Sequence, residues 1–134
     1  MTRAPASAQL ELIRELFTAI DRGDGGTAAS MFADDIRFAF GNNPPVLGRW
    51  KVEDTMRDFL AGIAGIRHEL TGHWQVASNP DIVIAEMTVH YSRLDGTSVS
   101  LPCCNVFRTH DGAIADYQIY MDVNPVFAPD TGAS

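Results

Sequence analysis

Between Ser7 and Arg22 apolar residues recur at Leu10, Ile13, Leu16, Phe17 and Ile20, the three-and-four spacing that lays one stripe along an α-helix. Gly23 stands where that helix ends. Asp24 is placed to cap a second, short helix carrying Ala28, Met31 and Phe32, which stops at Ala33-Asp34-Asp35. The period then changes to two, and Ile36, Phe38 and Phe40 begin a strand. After the turn residues Gly41-Asn42-Asn43-Pro44-Pro45, Val52, Met56, Phe59, Leu60 and Ile63 form the stripe of a third helix, broken around Gly65.

The remainder alternates with period two, so each polar residue can be given a face. From Arg67 the outward set is Arg67, Glu69, Thr71, His73 and Gln75; the opposite set is His68, Leu70, Trp74 and Val76, which puts His68 among apolar side chains. Ile82 to Arg93 reads as the next strand, with little contrast between its faces, and Leu94-Asp95-Gly96 as the tight turn into Val99 to Thr109. In that return strand Val99, Leu101, Cys103, Asn105 and Phe107 share a face, so Asn105 also lies among apolar neighbours. His110-Asp111-Gly112 turns the chain into a last strand opposing Tyr117, Ile119 and Met121 to Asp116, Gln118, Tyr120 and Asp122. Helices first and long strands afterwards imply an α+β fold with the helices packed on one sheet face.

A chain of 134 residues, 46% hydrophobic and 20% charged, supplies one core, so a single domain spanning 1–134 is expected, with 1–6 and 129–134 as flexible ends. The net charge of −7, with Lys and Arg scattered, argues against nucleic acid as a partner. There is no apolar run long enough to cross a membrane and no leader pattern at the start, and a cytoplasmic location is expected. Cys103 and Cys104 are adjacent, with side chains leaving opposite strand faces, and are expected to be reduced. The histidines lack metal-ligand spacing and no nucleotide loop is present, so neither a metal nor a cofactor is expected.

The element order, together with Ala19-Ile20-Asp21-Arg22-Gly23-Asp24, Met31-Phe32-Ala33-Asp34-Asp35 and Asp111-Gly112-Ala113-Ile114, resembles the nuclear transport factor 2-like superfamily, in particular its SnoaL-like branch. The resemblance implies a cone-shaped NTF2-like fold, a curved and mostly antiparallel sheet packed on three N-terminal helices. That superfamily includes ketosteroid isomerases, polyketide cyclases, limonene epoxide hydrolases, dehydratases and binders without chemistry, so fold leaves activity open. In its register the ketosteroid isomerase base falls on Phe40, the oxyanion-hole tyrosine on Leu16 and the protonated aspartate on Asn105, which speaks against a typical isomerase of that kind. The epoxide hydrolase triad falls near Thr88, Glu86 and Ile119 and is not preserved. Scytalone dehydratase and its relatives match better: their helix-one aspartate is similar to Asp21, their strand histidine to His68 and their pocket asparagine to Asn105. Their tyrosine, however, falls on Phe40, their serine on Cys103, and their second histidine near His90 or Ser92.

Asp21 and His68 are therefore the candidate acid–base pair, since a carboxylate beside an imidazole suits proton transfer near neutral pH. Each also has a structural reading, Asp21 as a turn acceptor and His68 as a satisfied core histidine. Asn105, Tyr117 and His90 are candidate substrate-binding polar groups, with Glu86 and Thr88 as further polar lining. Phe17, Phe38, Phe40, Met56, Phe59, Trp74, Leu101, Cys103, Ile119 and Met121 are the expected walls, and core residues as well. The expected function is a cofactor-independent lyase, isomerase or cyclase acting on a small hydrophobic oxygenated metabolite of polyketide, terpenoid or steroid-like character. The alternative is a ligand-binding or dimeric interaction module of the same fold. A homodimer through the open sheet face is expected, with Val83, Ala85, Met87, Val89 and Tyr91 as its apolar strip.

Overall fold

The computed structural model describes residues 7–127. The chain forms α1 (Ala8–Asp21), α2 (Gly25–Ala29), β1 (Phe32–Phe40), β2 (Val46–Leu47), α3 (Arg49–Ala61), β3 (Gly65–Val76), β4 (Asn79–Ser92), β5 (Ser98–His110), β6 (Ala113–Tyr120) and α4 (Asn124–Phe127). The strands make one six-stranded sheet in the order β2-β1-β6-β5-β4-β3, parallel only where β1 meets β6. The α+β class is as the patterning implies, with α1 against β3 and β4 and α3 against β1 and β2. Among the described residues no helix is long and apolar enough to cross a membrane. Both cysteines are free. The expected flexible ends, 1–6 and 129–134, lie outside the described residues.

Local chemistry sets the helix ends. Ser7 Oγ accepts from the Leu10 amide at 3.1 Å, and Asp24 Oδ1 accepts from the Thr27 amide at 3.0 Å while Oδ2 accepts from its hydroxyl at 2.7 Å. Gly23 turns the chain between the two helices at φ 73°. The second helix is shorter than its sequence suggests and ends at Ala29. Phe32 pairs with Ile114 across the parallel ladder, and the Ile114 amide donates to the Met31 carbonyl at 2.8 Å. Those sheet bonds draw Met31 and Phe32 out of the helix, so the strand begins four residues early.

Two expectations about which face a side chain takes fail here. Leu70 pairs with Met87 but Gly72 pairs with Glu86, leaving Thr71 as an extra residue in a β-bulge. A single inserted residue exchanges the faces of everything after it. Trp74 therefore lies on the outer face, 54% exposed and folded over Gly72, where a Cβ would come within 2.7 Å of its ring. The supposed dimer strip is also on the other side: Val83, Ala85, Met87, Val89 and Tyr91 are all at most 2% exposed and form the inner, helix-covered face of β4. Beyond the last strand, α4 adds Val126 to the core.

Candidate functional site

The inner sheet face, the end of α1 and the length of α3 enclose a cavity of about 310 Å³, lined mainly by apolar and aromatic side chains. Its polar wall begins at the C-terminal turn of α1. Asp21 is the last residue of that helix, and its carboxylate reaches the first part of β3. The His68 amide donates to Oδ1 and Oδ2 at 3.1 and 3.0 Å, and His68 Nδ1 lies 2.6 Å from Oδ1. One turn earlier Phe17 stacks on the imidazole, with centroids 4.7 Å apart at 30°. A carboxylate only accepts, so Nδ1 carries the hydrogen, and in the neutral form of the ring Nε2 keeps its lone pair. Nε2 has no hydrogen-bond partner among the described residues, and His68 lines the cavity.

Beyond His68 the polar wall consists of groups with few protein partners. Asn105, 1% exposed, takes a thiol hydrogen bond from Cys103 at 3.2 Å on its carbonyl oxygen, and its NH₂ finds only Met87 Sδ at 3.7 Å. Thioethers are weak acceptors, so this buried amide is poorly served by the protein alone. Tyr91 donates only to Met121 Sδ, at 3.5 Å. Tyr117, at the centre of the sheet, packs edge-on to Phe38 at 5.2 Å and against Phe107 at 4.5 Å; its hydroxyl has no partner among the described residues.

Burial, followed by the proximity of Cys103, Tyr91 and Asp21, holds the Tyr117 phenol far above its usual range. Burial and then Cys103 raise that of Tyr91 likewise. Burial, with Cys104 beside it, pushes the Cys103 thiol up to about 12. All three are neutral hydrogen-bond donors at physiological pH. A run of rings links the two tyrosines, Phe38 packing on Tyr117 and then Phe38 to Phe40 at 6.3 Å, Phe40 to Phe59 at 5.3 Å and Phe59 to Tyr91 at 6.1 Å.

Of the residues expected at a site, His68, Asn105, Tyr117, Phe38, Phe40, Met56, Phe59, Cys103, Ile119 and Met121 line this one cavity, with Asp21 and Phe17 supporting His68 from behind. Four do not belong. Trp74 is turned out by the bulge at Thr71, and Leu101 is half-buried on the inner face away from the lining. His90 lies on the outer face, where Nδ1 meets Ser100 Oγ and Nε2 meets Glu69 Oε1, both at 2.7 Å. Its contact holds the Glu69 carboxyl below its usual range. Glu86 and Thr88 share that outer face with His90, so they do not line the cavity either.

Tyr91, Ile20, Ile66, Val89 and Leu60 are lining residues that sequence reasoning missed, as are Asn43 and Pro44 in the turn after β1, Val46 in β2, and Phe127 in α4. A signal for Tyr91 was present. β4 and β5 pair symmetrically about Asp95, so Met87 faces Cys103 and Ala85 faces Asn105. Once Cys103 and Asn105 are assigned inward, the odd-numbered residues of β4 must follow, because directly opposed residues share a face. Among the described residues no three His, Cys, Asp or Glu side chains gather as metal ligands.

No curated protein sequence matches this chain. Solved structures do. An NTF2-like protein of unknown function from Burkholderia pseudomallei superposes with a TM-score of 0.82 at 17% identity, over 92% of this chain and 100% of its own. A protein provisionally described as a SnoaL-like polyketide cyclase from Jannaschia sp. gives 0.79 at 16% identity, over 96% and 99%. An LEH-like epoxide hydrolase from M. tuberculosis gives 0.75 at 18%, over 90% and 86%. At such identities the likeness is one of fold, and the range of chemistry among these proteins leaves the reaction to be argued from the site. The family model of the SnoaL-like domain matches residues 13–117, from the middle of α1 to the tyrosine at the centre of the cavity wall, and the chain therefore belongs to the SnoaL-like domain family.

Proposed function

We propose that the chain is a cofactor-independent acid–base catalyst, a lyase, isomerase or cyclase acting on a small hydrophobic oxygenated metabolite of polyketide, terpenoid or steroid-like character. The observation that carries this is the Asp21–His68 pair at 2.6 Å, with Nε2 left facing an apolar cavity. Nε2 accepts a proton from substrate carbon or oxygen; Asp21 fixes the tautomer and balances the imidazolium that forms. Asn105 Nδ2 and the Tyr117 hydroxyl donate to the substrate oxygen on which charge develops, and the aromatic wall excludes water and strengthens both contacts. His68 then returns its proton to the product or to the departing oxygen. No protein residue moves permanently, and no redox change is required.

The reading fits the family without copying the chemistry of ketosteroid isomerases, since Phe40 lines the cavity where their base would stand. It is tested by screening neutral aromatic polyketides, terpenoids and sterols by thermal shift and native mass spectrometry against wild type, Asp21→Asn and His68→Gln. Conversion that requires both residues supports the enzyme. Binding without conversion, unaltered by either substitution, supports the binding module instead.

Dimerisation belongs to the same proposal, now on the true outer face. Trp74, Ile84 and Val106 are cross-strand neighbours there, and Tyr120 stands beside Cys104 one pair along, 59% exposed.

A further inference from the structure

The cavity has a rim that can be identified from exposure. Most lining residues are buried or half-buried, but Asn43, Pro44 and Phe127 touch the cavity and are also exposed, so the mouth lies between the turn after β1 and α4. Phe127 is 53% exposed. Its ring stands edge-on to Phe59 at 5.6 Å and 90°, and rests over Gly62, where a Cβ would approach its Cε1 to 3.3 Å. The absence of a side chain at position 62 provides the seat for this ring.

What holds α4 in that place is one side chain from the β4–β5 turn. Arg93 Nη2 donates to the Pro125 carbonyl at 2.6 Å and Nε donates to the Val126 carbonyl at 3.2 Å. Both carbonyls belong to the single turn of α4, and an arginine side chain can hydrogen-bond such helix-end carbonyls directly. Nη1 donates to Thr97 Oγ1 at 3.0 Å, and Thr97 is in turn fixed by Asp95 Oδ1 through its amide at 2.9 Å and its hydroxyl at 2.6 Å. Arg93 makes no salt bridge among the described residues, and it does not line the cavity. Its guanidinium is committed to tying the hairpin to α4.

We infer that α4 is the door of the cavity, with Phe127 as its leaf and Arg93 as the latch that positions it. Ligand enters and leaves when the guanidinium releases the Pro125 and Val126 carbonyls and the ring leaves Gly62. Arg93 is thus a positioning residue that sets the rate of access to a site it never touches. The inference rests on the reading of the cavity as a ligand site, but its test needs no ligand and no turnover. Cys103 lines the cavity and is 5% exposed, whereas Cys104 points to the opposite face. In a Cys104→Ser background, the rate at which the small neutral reagent methyl methanethiolsulfonate modifies Cys103 reports how often the mouth opens.

Arg93→Gln is expected to speed modification about tenfold or more relative to the parent at the same pH, the scale of losing one charge-assisted hydrogen bond, and Phe127→Ala and Gly62→Ala, which remove or unseat the ring, are expected to speed it by more than twofold. Arg93→Lys, which keeps the charge but not the fork, is expected to fall between. Urea midpoints measured in parallel separate door opening from unfolding. Rates within twofold of the parent, or accelerations that merely follow the loss of global stability, overturn the inference. Failure of the acid–base reading would be seen in Asp21→Asn and His68→Gln turnover and leaves these rates unchanged.

Discussion

Asn105→Leu is expected to make the protein more stable and less functional. The native amide is 1% exposed and has two sulfur contacts, a thiol donor at 3.2 Å and a thioether acceptor at 3.7 Å, in place of oxygen or nitrogen partners. Burying an amide with so little compensation costs about 1–3 kcal/mol. Leucine is close in volume, has no group to satisfy, and meets Met87 and Cys103 as apolar neighbours. Taking the lower part of that range, since one amide edge faces the cavity, the variant should gain ~1 kcal/mol, a rise of about 3–4 °C in Tm for a domain of this size. Urea unfolding with an unchanged m-value gives the free energy, and the same samples give ligand affinity and turnover, expected to fall at least about tenfold with the lost donor. If Asn105→Leu is destabilised by 1 kcal/mol or more, the amide serves to tie β5 to its neighbours, and the substrate-binding role assigned to it is wrong.

Asp21→Ala removes the acceptor of the His68 backbone amide as well as of its ring, so it should cost about 1–3 kcal/mol in urea unfolding, where His68→Gln costs clearly less. Turnover on a true substrate should drop by roughly a hundredfold or more in His68→Gln, and unchanged kcat would remove the imidazole from the mechanism. The raised Cys103 pKa sets a pH dependence: the folded thiol stays protonated up to about 12 while the unfolded one ionises near 9.0, so stability is full below pH 9 and declines above it. The loss from this thiol between pH 7 and 10 is ~1.4 kcal/mol, and Cys103→Ala should flatten the urea-midpoint profile by that amount. Trp74→Ser with Tyr120→Ser should shift light-scattering mass toward the monomer without altering the accessibility of Cys103; a monomeric parent would refute the dimer outright.

Much of this architecture was already present in residue spacing. The stripes of α1 and α3, the cap at Asp24 and the hairpin about Asp95 rest on contacts within a few residues, and such signals are local by nature. The inward placement of His68, Cys103, Asn105 and Tyr117 also follows from alternation counted over short distances, as does the nearness of Asp21 to Phe17 one turn away on α1. The tertiary structure decided everything that required two distant segments to meet. Parallel pairing with β6 shortened α2, a bulge at Thr71 moved Trp74 to the outer face, and pairing with β5 decided which face of β4 turns inward. The site itself depends on Asp21 reaching His68 across 47 residues of sequence, and its mouth on Arg93 holding Pro125 and Val126. Period and capping are properties of neighbouring residues, whereas register shifts, bulges and long-range hydrogen bonds are chosen by the energy of the whole sheet.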